Sequence, residues 1–130
     1  MARAYTIATA ALALGVSAKW LDNTLSHFRI RGVHQERQGI ARRLTLEALL
    51  PLATSIALTR ELGIPLARAL DVATDILAND GKIAFGNRLV ISTDLVATRA
   101  DLLRQLEHAV EVAPLPRRGR PPKNTTGRLE

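Results

Sequence analysis

The stretch TIATAALALGVSAKW, residues 6–20, sets a single glycine between two apolar-rich segments. How the chain passes Gly15 constrains the fold more than any other position. The stretch can be the apolar run of a secretory leader, with Arg3 as its cationic start and Val16-Ser17-Ala18 as the small residues before the cut. It can equally be two short helices and the corner between them. Thr6 and Thr9 dilute the apolar run, and the residues that follow decide the matter. Ala18, Leu21, Leu25 and Phe28 fall at i, i+3, i+7 and i+10, one face of a helix, while Lys19, Asn23 and Ser26 share a polar face opposite. Ser17 stands where a hydroxyl can cap the free N–H groups of a helix start. Gly15 stands where a positive φ costs least. The sequence therefore predicts a helix over 8–14, a turn at 15–17 and a second helix over 18–28.

Ala11, Gly15 and Leu21 also have the spacing of a helix-turn-helix. The small alanine lets two helices approach, the glycine turns the chain, and the leucine plugs the gap. In such a unit the first half of the second helix enters the major groove of DNA. Residues 29–45, RIRGVHQERQGIARRLT, follow directly. Short apolar-alternating pieces at 29–33 and 40–44, separated by the polar HQERQG, predict a β-hairpin with a mobile tip. Arg29, Arg31, Arg37, Arg42 and Arg43 crowd it, with Gln38 at its tip. A basic hairpin behind a recognition helix is a wing, suited to gripping phosphates.

Beyond the hairpin the pattern is mostly helical. Thr45 is a cap candidate for a helix over 46–62 with Leu46, Leu49, Leu50, Ala53, Ile56 and Ala57 inward; Pro51 should bend it or mark a late start. Gly63 closes that helix. Pro65 opens the next, over 65–78, with Leu66, Ala69, Leu70, Ala73 and Leu77 inward. Residues 82–92 read as a second hairpin turning at Gly86-Asn87, too short to stand without a partner surface. Thr93 or Asp94 can cap a last helix to about 112, lined by Leu95, Leu102, Leu103, Leu106, Ala109 and Val110. That stripe is wide for so small a domain and points to self-association. The expected organisation is a domain over 1–78, a dimerisation or partner element over 79–113, and a flexible basic tail over 114–130, poor in apolar residues. The fold class is mainly α.

Charge is segregated along the chain. Residues 1–43 hold seven Lys/Arg and two acids, residues 44–113 six and nine, and residues 114–130 five and one. A basic head and a basic tail joined by an acidic middle suit a polyanion, and nucleic acid is the usual one. The 130 residues contain no cysteine, which excludes disulfides, thiolate metal sites and a cysteine nucleophile, and fits a cytoplasmic, nucleoid-associated protein. No run of 18 apolar residues exists to span a membrane. The acids are spread along amphipathic helices and the three histidines, His27, His34 and His108, are scattered. Neither an enzyme site, nor a metal site, nor a cofactor is expected.

Over residues 5–78 the order of elements resembles the MerR family of winged-helix regulators. The matching stretches are YTIATAALALGVSAKWL, the hairpin end ARRLTLEALLPL, and IALTRELGIPLARALDVATDIL. The resemblance implies a DNA-binding domain. The sequence departs from the family where a tyrosine pair is common, holding Asn23 and Thr24, and where a long dimerisation helix would follow, holding residues 82–112. The tail segment PRRGRPPK, 116–123, resembles an AT-hook. Gly119 would let the backbone reach the floor of a narrow A·T minor groove. Arg118 and Arg120 would extend along it, and Arg117 and Lys123 would reach phosphates.

These features imply a sequence-specific double-stranded DNA-binding protein, a bacterial or phage regulator working as a homodimer on sites with A·T-rich flanks. Ser17, Lys19, Asp22, Asn23 and Ser26 would meet the major groove, and the wing arginines the phosphates. Two other readings stand beside it: an architectural DNA organiser of low specificity, and an antitoxin or adaptor that uses 82–112 as its partner surface.

Overall fold

A computed structural model describes residues 3–35, 37 and 39–112. Five helices dominate it: α1 (Ile7–Leu14), α2 (Ala18–His27), α3 (Leu46–Leu62), α4 (Leu66–Ala78) and α5 (Leu95–Val112). Between them lie short strands β1 (Ala4–Thr6), β2 (Val33–His34), β3 (Arg43–Thr45), β4 (Lys82–Phe85) and β5 (Leu89–Ser92). The fold is mainly α with small antiparallel sheets. Gln38 and the tail, 114–130, lie outside the described residues. Among the described residues no helix is long and apolar enough to cross a membrane.

Gly15 is a corner. Its φ is 72°, its N–H donates to the carbonyl of Leu12 at 3.2 Å, and the N–H of Val16 donates to that of Ala11 at 3.0 Å. This pair of bonds is a Schellman motif, which satisfies carbonyls the end of α1 would otherwise leave free. Ser17 caps α2, its Oγ accepting from the Trp20 N–H at 3.0 Å. Thr6 caps α1 in the same way through Thr9. The helix starts one residue before the expected 8.

The sheet differs from the expected two-stranded wing. β3 is central, paired antiparallel with β1 (Tyr5 opposite Leu44) and with β2 (Val33 opposite Leu44). The hairpin strands are shorter than the expected 29–33 and 40–44. Gly32, at φ 90°, breaks the first before it can extend. A Cβ there would meet the Thr45 hydroxyl at 2.6 Å and the Ala48 nitrogen at 2.7 Å, so hairpin and α3 close on a bare backbone. Thr45 occupies the N-cap position of α3 but makes no side-chain cap bond. Its hydroxyl instead donates to the Gly32 carbonyl at 3.0 Å.

α3 begins at Leu46, so Pro51 sits inside it rather than at a late start. The missing N–H falls in the second turn and leaves only one interior carbonyl, that of Glu47, without its intrahelical donor. α3 packs against α4, α5 and α1, and is buried on more than one side. Ser55 and Thr54 are therefore buried, whereas Ala57, expected inward, is exposed. Ser55 satisfies its hydroxyl on the Leu52 carbonyl at 2.9 Å.

One core gathers Ala10, Leu14, Leu21, Leu44, Leu49 and Leu52, and it also takes in Leu102, Leu106 and Ala109 of α5. α5 thus packs on α1 across small alanines. Leu103 and Val110, expected on the same stripe, are exposed. A second core joins Leu58 of α3 to Ala69, Val72, Ala73 and Ile76 of α4, and Ile83, Phe85 and Ile91 of the β4–β5 hairpin cover it. The short hairpin finds its partner surface on α4. Its connection is three residues, with Phe85 opposite Leu89, so Arg88 joins Gly86 and Asn87 in the turn.

Candidate nucleic-acid interface

α2 turns a continuous polar row to solvent. Lys19, Asp22, Asn23 and Ser26 are all exposed and lie at i, i+3, i+4 and i+7. The opposite face is anchored by Leu21, fully buried, and by Leu25. Thr24, also buried, donates its hydroxyl to the Trp20 carbonyl at 2.8 Å, which removes a polar cost from the core side. Ser26 Oγ donates to the Asp22 carbonyl at 3.0 Å and keeps its lone pairs for an outside donor.

The hairpin is tied to this helix at one point. Arg42 Nη1 donates to Asp22 Oδ1 at 2.8 Å, with the arginine side chain 23% exposed and the aspartate 56%. Both were expected among the residues facing DNA. In the structure each has the other as partner, and together they hold the root of the hairpin against α2. The pair also offsets the one negative charge on the exposed row. Beyond it, an open polar cleft runs between the end of α2 and the hairpin, lined by Ser26, His27, Arg29, Gln35 and Arg42 among others. Arg42, thirteen residues beyond Arg29, is thus brought to one cleft with Ser26 and Arg29.

The remaining expected residues are placed differently. Arg43 is exposed on β3 opposite His34, on the face away from Leu44. Arg37 is exposed at the tip. Arg31, with Arg29, lines a groove on the other side of the 28–31 segment, toward α3 and α4. Ser17 spends its acceptor on the helix cap. Gln38, Arg117, Arg118, Gly119, Arg120 and Lys123 lie outside the described residues.

Two contributors escaped the sequence reading. His27 is exposed at the end of the row, its Nδ1 2.8 Å from the Asn23 carbonyl. Its position at i+4 from Asn23 was the available signal. Arg60 Nη2 donates to the Gly15 carbonyl at 2.9 Å and braces the corner from α3. The two residues are 45 apart, and no local pattern links them. Among the described residues no group of three or more His, Asp or Glu side chains could hold a metal ion. No family model, curated protein or solved structure matches this chain.

Proposed function

We propose that the protein is a sequence-specific double-stranded DNA-binding regulator of bacterial or phage type, a winged helix-turn-helix whose α2 reads the major groove. The observation that carries this reading is the exposed row of α2 running into a cleft whose far wall is the arginine-bearing hairpin, with the Asp22–Arg42 pair fixing one to the other. A helix fits the major groove, where Asn can pair bidentately with adenine and Lys can reach guanine acceptors. Arg37 and Arg43 supply charge for phosphates, which set register without reading sequence. The tail would add an A·T minor-groove contact through Arg118 and Arg120, and tethering would make even a weak contact count. The task is binding rather than catalysis. Exposed Leu103 and Val110 on α5 give a homodimer a surface on which to form, and a dimer would favour a pseudo-palindromic site.

Selection of bound sequences from a random duplex pool, followed by titration at fixed salt, tests the reading. The enriched site should bind at least about a thousandfold tighter than random A·T-rich duplex. Lys19→Ala with Asn23→Ala should abolish that preference while leaving the unfolding midpoint in place. A ratio near one would replace the regulator with an architectural binder of low specificity.

A further inference from the structure

α4 and α5 both pack on α3 but scarcely touch each other. The gap they leave is closed on a third side by the 28–31 segment and forms a cavity of about 650 Å³. That is within the range of small-molecule sites, roughly 300–1,000 Å³. Its floor is apolar, formed by Phe28, Leu50, Leu70 and Leu95 among others, with Leu70 buried and the other three half-buried. Its mouth carries charge: Arg29, Arg31 and Arg99 on one count, Glu47 and Asp71 on the other. Neither ion pair found among the described residues, Arg42–Asp22 or Arg104–Asp101, involves any of these five. The balance is one net positive charge over an apolar floor.

The geometry points to a binding site for an amphipathic organic anion, with its apolar body on the floor and its carboxylate or sulfonate held by guanidinium groups at the mouth. A guanidinium suits such a head because it offers paired N–H donors to two oxygens at once. Arg29 belongs both to this cavity and to the polar cleft beside α2. A ligand that engages Arg29 takes it from the duplex, so ligand and DNA oppose each other, and linkage makes the opposition reciprocal. That last consequence rests on the DNA-binding reading; the site itself does not.

A matched pair of fluorescent probes tests it on the full chain: anilinonaphthalene sulfonate and its uncharged parent, phenylnaphthylamine. The sulfonate should bind one to one and at least about tenfold tighter than the parent. Arg99→Ala, on α5, which lends no residue to the polar cleft beside α2, should remove most of that difference. Thr74→Trp, an exposed lining position on α4, should fill the cavity and weaken both probes at least about tenfold. Equal affinity for the two probes, or sulfonate binding unchanged in both variants, would overturn the site. With labelled duplex present, DNA should weaken sulfonate binding to the wild type. If the sulfonate behaves as expected but the protein binds no duplex, the DNA-binding reading fails and the site stands. If duplex and sulfonate bind without affecting each other, the proposed opposition is overturned.

Discussion

Gly15 and Gly32 both have positive φ, yet their surroundings differ. Around Gly15 the nearest atom to an added Cβ is Arg60 Nη1, at 3.7 Å, an ordinary contact with the end of a flexible side chain. Gly15→Ala should therefore cost only the left-handed backbone strain, about 1–2 kcal/mol. Gly32→Ala adds a collision with the Ala48 backbone to the same strain and should cost clearly more. Urea unfolding of both variants checks this; equal losses would mean that the hairpin does not close on α3 at Gly32. The Gly15 corner was legible in the sequence because its bonds are local, within a few residues of the chain. Gly32 was not, because what crowds it comes from Thr45 and Ala48.

At the scale of elements, the ion pair between α2 and the root of the hairpin illustrates how a charged contact can position without adding much stability. Asp22 is more than half exposed, so water screens the pair. A double-mutant cycle of Asp22→Ala and Arg42→Ala, read by urea unfolding, should give a coupling of about 0.2–1 kcal/mol. The same cycle read by DNA affinity should show that losing either partner weakens binding, since the hairpin then loses its fixed place beside α2. By contrast Leu21→Ala removes a fully buried plug between α1 and α2 and should cost about 2–5 kcal/mol. The α2 pattern was readable because a helix repeats every 3.6 residues over ten residues. β1 was not, because three residues are too few to show a period, and its pairing with β3 spans some forty residues of chain.

Across the whole molecule, the stripe on α5 splits into two roles. Leu102, Leu106 and Ala109 join the same core as α1 and α2, so this helix is part of the scaffold that presents the candidate interface. Leu106→Ala should lower stability by about 2–5 kcal/mol in a single cooperative transition that α1 and α2 share. A separate early transition confined to the C-terminal third would contradict the common core. Leu103 and Val110 remain outside it. Replacing both with Glu should leave the fold intact and shift sedimentation toward the monomer. The tail is read at this scale too: Arg118→Ala with Arg120→Ala should flatten the salt dependence of DNA binding by roughly two counterions.

Helix periods, the Ser17 cap, the Gly15 corner and the segregation of positive charge were determined by the sequence alone. The first three are satisfied within a turn or two of chain, where neighbours in sequence are neighbours in space, and the fourth is a count along the chain. Which faces meet was decided only by the tertiary structure. It placed a third strand against Thr45, paired Arg42 with Asp22 across 20 residues of chain, and sank half of the expected α5 stripe into the core. Those outcomes depend on which apolar surfaces close on one another across tens of residues, and the order of residues along the chain does not encode that in any local pattern.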